Sequence, residues 1–306
     1  MSRLFARPLY LLASVVGRLP WRWLRTSGDV LAWLWWRSGG RESRVALRNV
    51  ELAYPELLPG QRDALQREIL RTTARQTLET LRLWTRPHAE NLGLIREHQG
   101  VELFDAAIAA GKGVIVAAPH YGNWELLNQW LAAHTPLAIL YRPPDSPLGE
   151  AFLRQVRADD ADRVVQVRAE AAGIRQLFKR LRGGGVVGIL PDQQPKRGDG
   201  EFAPFFDLPA YTMTLLPRLA ERSGATVLFA YCERIGDLAF ALRIEPAPEA
   251  IASSDTMTAT AALNAAVERI ARRAPAQYQW TYKRYTLRPS WNGRDNPYRD
   301  LEGRRA

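Results

Sequence analysis

Gly113-Val114-Ile115-Val116-Ala117-Ala118-Pro119-His120-Tyr121-Gly122-Asn123-Trp124-Glu125 runs from a short, β-branched apolar stretch through a turn into a helix. Residues 113–118 read as a buried strand, and 123–133 as the helix after it. Pro119 and Gly122 break regular structure between the two. In an unbroken helix, positions five apart lie about 140° around the axis. The break instead lets His120 sit in the turn and Glu125 in the first helical turn, with their side chains converging. A histidine oriented by a carboxylate is a general base. The competing reading is a loop histidine without a chemical role, beside an acid favoured by the helix N-terminus. His-x4-Glu alone does not choose between them.

Outward from this stretch, helix and strand alternate. Helix 101–110 precedes it, and strand 137–141, strand 164–167, helix 169–181 and strand 186–190 follow. Such alternation predicts an α/β fold with a mostly parallel central sheet flanked by helices. Ligands of open α/β sheets gather beyond the carboxyl ends of the strands. His120, Arg142 and the run Asp192-Gln193-Gln194 all fall there. A base, a cation and a carboxylate at one sheet edge make a candidate site, although singly Arg142 also reads as a solvated loop charge and Asp192 as a turn residue. Further along, helix 212–222, a hairpin of strands 226–234 and 237–245, helix 256–273 and an extended run 277–285 are expected. On the amino-terminal side, 44–54 is amphipathic and 61–84 is a long helix with an ordinary apolar face. Gly183-Gly184-Gly185 reads as a helix terminator, no phosphate-binding glycine motif follows a strand, and no cofactor is expected. His88 and His98 share no ligand spacing with another His, Cys or carboxylate, so no metal site is expected.

The chain has 306 residues, enough for one large domain with a sizeable core. Its formal net charge of +10 is almost all arginine, since lysine occurs only at Lys112, Lys179, Lys196 and Lys283. A basic protein of this kind meets nucleic acid, an anionic membrane or an acidic partner. The first fifty residues choose among these: nine arginines face only Asp29 and Glu42, and Trp21, Trp23, Trp33, Trp35 and Trp36 are half the tryptophans of the chain. Indole rings and arginine stems favour the headgroup boundary of a bilayer. Residues 1–45 are therefore expected to form an N-terminal helical membrane anchor, 46–289 a catalytic domain and 290–306 a polar tail. A spanning helix needs about 20 apolar residues. Residues 9–17 are too few before Arg18, Arg22 and Arg25, so the anchor is expected to lie in or dip into one leaflet. A helical hairpin packed on the domain is the alternative, and the two are compatible. Nucleic acid is not an expected partner, because the basic residues do not interleave with an exposed aromatic platform. The single cysteine, Cys232, excludes an intramolecular disulfide and a CxxC zinc site.

Five ordered blocks resemble the lipid A late acyltransferase family. They are Pro119-His120-Tyr121-Gly122-Asn123-Trp124-Glu125, Tyr141-Arg142-Pro143, Gly188-Ile189-Leu190-Pro191-Asp192-Gln193, Pro204-Phe205-Phe206 and Gln279-Trp280-Thr281-Tyr282-Lys283-Arg284. The resemblance runs across nearly the whole chain. It implies a glycerol-phosphate-acyltransferase-like fold whose HxxxxD/E motif falls on His120 and Glu125, with Glu the usual choice in the lipid A branch. It also implies a place on the cytoplasmic face of the bacterial inner membrane, among anionic inner-membrane lipids. Acyl carrier protein would be the acyl donor and a lipid A precursor the acceptor.

On that basis His120 is expected to deprotonate an acceptor hydroxyl, while Glu125 holds the imidazole tautomer and stabilises the imidazolium. Backbone amides around Asn123 are expected to face the oxyanion, with Arg142 contributing. A thiolate leaves readily, so no covalent acyl-enzyme is needed. There is no GxSxG elbow, and Cys232 lies in an apolar strand where a thiol is more often inert. Asp192 is carried over as an active-site residue, with Gln193 beside it. Arg142 is expected to hold an anionic part of a substrate, and Arg154 and Arg157 to add positive charge behind the site. Phe202, Phe205 and Phe206 read as an acyl-chain groove or as plain core. Two other functions stand beside this one: the same machinery acting on a lysophospholipid, glycolipid or aminolipid, and a non-catalytic membrane-binding protein. The latter leaves His120, Arg142 and Asp192 at one sheet edge without a reason.

Overall fold

The computed structural model describes residues 2–141, 146–156, 163–291 and 293–301. Four helices precede the sheet: α1 (Ser2–Arg18), α2 (Trp21–Ser38), α3 (Arg41–Ala53) and the long α4 (Pro59–Thr85). Then come α5 (His88–Leu92), β1 (Ile95–Gln99), α6 (Val101–Ala109), β2 (Val114–Ala117), α7 (Trp124–His134) and β3 (Leu137–Tyr141). They are followed by α8 (Pro147–Val156), β4 (Val164–Arg168), α9 (Ala171–Arg182) and β5 (Val186–Ile189). A hairpin of β6 (Gly200–Phe205) and β7 (Leu208–Met213) leads to α10 (Leu215–Ser223). A second hairpin, β8 (Thr226–Gly236) and β9 (Ala239–Pro246), leads to α11 (Thr256–Arg273).

Among the described residues the main sheet has seven strands in the order β1-β9-β8-β2-β5-β3-β4. Neighbours run parallel except β8 and β9. β2 lies between β8 and β5, and all four of its residues are buried. Its unbroken apolar run follows from that place, because a strand covered on both faces has no side for water. Val114 and Val116 join Phe104 of α6 and Leu126, Leu127 and Trp130 of α7 in one cluster. Ile115 and Ala117 join Leu177 of α9, Leu219 of α10 and Ile270 of α11 in the other. The two-residue alternation of a strand thus divides the core into two layers around one sheet.

Two expectations are corrected, and one strand was not foreseen. The residues at the start of the expected helix 212–222 belong to β7, which pairs with β6, so α10 begins only at Leu215. The run 277–285 is not extended. A 3-10 turn covers Pro275–Gln277, Tyr278 makes one bridge with Tyr121, and Tyr282 then donates its backbone N–H to Gln279. β1 escapes a reading of apolar periodicity because only Ile95 of its five residues is buried.

At the amino terminus, α1 and α2 pack on α4. The approach is close: a Cβ on Gly28 would stand 3.1 Å from the Arg75 Cα, and one on Gly17 would stand 3.1 Å from the Arg82 Cα. Arg75 donates to both oxygens of Asp29 at 2.7 and 2.8 Å, tying α2 to α4. The outward sides of the two helices expose Leu11, Leu12, Val15, Trp23, Trp33 and Leu34. No described helix is long and apolar enough to cross a membrane. The N-terminal segment is therefore a packed pair of helices that leaves an apolar outer surface.

Candidate active site

β2 and β5 are parallel neighbours with Ala117 opposite Ile189. His120 lies three residues beyond the first and Asp192 three beyond the second, so equal offsets at the carboxyl edge bring them together. Asp192 Oδ1 accepts from His120 Nδ1 at 2.8 Å, and Asp192 Oδ2 accepts from the His120 backbone N–H at 2.9 Å. Both side chains are buried, His120 to 9 % exposure. Burial by itself would push Asp192 up, but the charge of His120 and the hydrogen bonds from its ring and backbone hold the carboxyl below the usual carboxylate range.

Asp192 thus stands on the ring nitrogen for which the sequence suggested Glu125. Glu125 lies buried in the first turn of α7, and its Oε2 accepts from Trp84 Nε1 of α4 at 3.0 Å. With Nδ1–H directed at Asp192, the free lone pair of the imidazole is on Nε2. The Gln193 amide nitrogen stands 3.2 Å from Nε2 and also donates to Gln279 Oε1 at 3.2 Å. It occupies the position that an incoming hydroxyl needs. Trp124 presents its ring to the imidazole at 4.9 Å between centroids.

The turn that carries His120 is held from three sides. Gly122 has φ +61° and donates its N–H to Gln277 O, while His120 O accepts from Gln279 N. A Cβ on Gly122 would stand 2.0 Å from Cys232 O, so only glycine meets both the backbone angle and the space. Tyr121 donates its hydroxyl to Glu233 Oε1 at 2.6 Å, and Arg243 and Arg273 donate to the same carboxylate. Burial would push Glu233 up, but Arg273, Tyr121 and Arg243 together hold it down at about 2. Asn123 is the N-cap of α7, its Oδ1 accepting from Leu126 N at 3.1 Å. Asn123 Nδ2 donates to Glu79 Oε2 at 3.3 Å. Glu79 is buried to 1 % exposure in α4 and pairs with the Arg234 guanidinium.

These bonds alter the expected oxyanion site. Asn123 N donates to Cys232 O, and the backbone amides of His120 and Gly122 are also taken. Trp124 N–H, at the start of α7, has no acceptor among the described residues and points to the helix end where anions are favoured. Arg142 and Arg157 lie outside the described residues, and Arg154 is placed only as a position on α8. Phe205 and Phe206 are core residues, packed edge to face at 4.9 Å. Phe202 packs on Tyr211 and Trp291. Cys232 is fully buried and its thiol is pushed up by burial alone, which leaves it inert.

α4 holds what the sequence left unread. Its apolar face was plain, yet Glu79 and Trp84 project toward the site from the other side. An acid, amides and hydroxyls spaced at three and four through 72–84 were the available signal. Of the carboxyl-terminal blocks, Tyr278 is buried, its hydroxyl pushed well above the ordinary range by that burial and then by the Asp192 charge. Gln194 N donates to the Tyr282 hydroxyl at 3.1 Å, and buried Arg284 donates to Tyr211 O and Thr212 Oγ1, both at 2.6 Å. The segment braces the Asp192 loop and the His120 turn.

Residues 9–286 match the family described as "Bacterial lipid A biosynthesis acyltransferase". The chain is 28 % identical over 303 residues to the lipid A biosynthesis palmitoleoyltransferase of Escherichia coli (strain K12), covering 94 % of this chain and 95 % of that protein. It is 27 % identical over 278 residues to the lipid A biosynthesis lauroyltransferase of the same organism, covering 90 % and 89 %. It is also 29 % identical over 221 residues to a phosphatidylinositol mannoside acyltransferase of Mycobacterium tuberculosis, covering 71 % and 69 %.

Proposed function

Because the chain belongs to the family of bacterial lipid A biosynthesis acyltransferases, we propose that it moves a fatty acyl group from an acyl carrier protein thioester to a hydroxyl of a lipid A precursor. The observation that carries this is the imidazole at the sheet edge, bound through Nδ1 to buried Asp192 with Nε2 beside the Gln193 amide. The acceptor hydroxyl displaces the Gln193 amide and gives its proton to Nε2, and its oxygen attacks the thioester carbonyl. Asp192 stabilises the imidazolium so formed. Trp124 N–H at the start of α7 supports the oxyanion. As the tetrahedral intermediate collapses, the C–S bond breaks and the imidazolium returns the proton to the thiolate. The new ester bond forms without a covalent acyl-enzyme. Glu125 adds negative charge at the start of α7, and Arg142, Arg154 and Arg157 supply cations for anionic groups of donor or acceptor.

The protein acts at the cytoplasmic face of the inner membrane. Exposed Leu11, Leu12, Trp23 and Trp33 supply an apolar seat, and the arginines of 1–50 supply attraction for anionic lipid. A glycolipid acceptor is the second reading, favoured by the similarity to the phosphatidylinositol mannoside acyltransferase. Mass spectrometry of acceptor lipids incubated with acyl carrier protein thioesters tests both. Acylated lipid A precursor with wild type and none with His120→Ala is the expected result. Acylation of a phosphoinositide glycolipid alone moves the assignment to the second reading, and turnover by His120→Ala removes both.

A further inference from the structure

Arg284 brings a buried positive charge to the back of the His120–Asp192 pair. It is 4 % exposed, and among the described residues it is the only buried arginine. Its guanidinium donates to Tyr211 O and Thr212 Oγ1 of β7, both at 2.6 Å and both neutral, while its Nε has no hydrogen-bond partner among the described residues. No ion pair offsets the charge there. Taking a guanidinium out of water without a carboxylate beside it is costly, so a cation buried in this way calls for a reason. The negative charge in its surroundings is Asp192, itself 4 % exposed. Both line one cavity of about 10 Å³, the room of a single water.

Of the other residues that line the cavity, only Tyr278 and Tyr282 can titrate, and Asp192 meets His120 on its other side. Burial pushes the Tyr278 hydroxyl well up, the Asp192 charge adds to that rise and the Arg284 charge opposes it, so this hydroxyl is in reach of both. Tyr285 and Tyr298 also feel the charge of Arg284. Farther out, Glu268 of α11 is held by Arg272, and Arg288 donates to Pro209 O. Asp192 is thus the only carboxylate among the residues that line the cavity with Arg284. A carboxylate on an imidazole favours the protonated ring, and a protonated ring is no base. A fixed cation behind the carboxylate opposes this, because it lowers the proton affinity of the coupled pair as a whole. We propose that Arg284 is a positioning residue of the base that acts through Asp192. Its buried charge holds the carboxylate ionised and leaves Nε2 free to take the proton of the acceptor hydroxyl, an inference that rests on the acyl-transfer chemistry proposed above.

The test is the pH profile of kcat/KM for transfer from an acyl carrier protein thioester to a lipid A precursor, whose acid limb reports protonation of the base in the free enzyme. Arg284→Met removes the charge and keeps most of the stem, and its acid limb is expected about one pH unit above that of the wild type. Arg284→Gln is also neutral but keeps an amide that can donate to β7. It gives the same displacement, so the result stands even where Arg284→Met folds poorly. Arg284→Lys keeps the charge and the wild-type limb, whatever it loses in kcat. A brace without an electrostatic role lowers kcat in all three variants and leaves the limb in place, and that result overturns the assignment. A limb that moves as far in Arg284→Lys as in the neutral variants overturns it too. A wild-type protein that transfers at no pH sinks the acyl-transfer chemistry itself, and this inference with it.

Discussion

His120 has one ring nitrogen on a carboxylate and the other 3.2 Å from the Gln193 amide nitrogen, so the two groups most sensitive to substitution are His120 and Asp192. Asp192→Asn keeps the shape but loses the charge that favours the Nδ1–H tautomer and the imidazolium. Its kcat is expected to fall about 10³-fold, with His120→Ala at background, measured as acylated precursor per unit time. Turnover of Asp192→Asn at the wild-type rate, with Glu125→Gln inactive, would return the orienting role to Glu125. Glu233 belongs to stability more than to chemistry. Its folded pKa of about 2 lies below its ordinary 4.5, so it contributes stability that is fully present above about 4.5 and lost as pH falls toward 2. Glu233→Gln therefore flattens the dependence of the urea midpoint on pH between 4.5 and 2. An unchanged acid limb would show that the Tyr121, Arg243 and Arg273 bonds do not hold the carboxylate ionised.

The turn between β2 and α7 is a single mechanical unit, because its glycine, its N-cap and its backbone bonds all serve one imidazole. Gly122→Ala places a Cβ in the left-handed region and 2.0 Å from the Cys232 carbonyl. A loss of about 3 kcal/mol or more in urea unfolding is expected, from backbone strain and overlap together. Transfer activity should fall further than stability predicts, since the displaced turn carries His120. A variant with wild-type stability would mean that β8 yields to make room. The same unit explains why α4 is polar where it faces the site. Glu79 grips Arg234 of β8 and the Asn123 N-cap, and Trp84 grips Glu125, so one long helix sets the position of α7.

Over the whole molecule, charge and exposed apolar surface coincide at the amino terminus, where α1 and α2 rest on α4. Replacing Trp23 and Trp33 together with serine removes two exposed indoles and no packing in the core. Binding to anionic vesicles is expected to weaken by about tenfold or more, while the unfolding midpoint stays put. Raised salt should weaken the wild type as well, through the arginines. Vesicle binding unaffected by both changes would rule out this face as the seat. Because Asp29 and Arg75 join α2 to the helix that positions α7, the exposed apolar face of the amino-terminal helices and the candidate active site share one support.

The chain itself determined the layered α/β plan. Runs such as 113–118 and 186–190 are apolar without alternation, which requires strands covered on both faces, and the amphipathic segments between them supply the covers. It also determined that His120, Glu125 and Asp192 lie near one edge, since each follows a strand or opens the helix after one. Strand order lay beyond it. That β5, the fifth strand along the chain, sits beside β2 is a long-range pairing with no local signature, and only that pairing puts Asp192 rather than Glu125 on the imidazole. Edge strand β1 and the polar side of α4 were hidden for the same reason: a residue whose purpose is a distant partner leaves no periodic trace among its neighbours. Local sequence fixes which surfaces have to be buried, whereas the choice of which surface buries which is made by the packing of the entire chain.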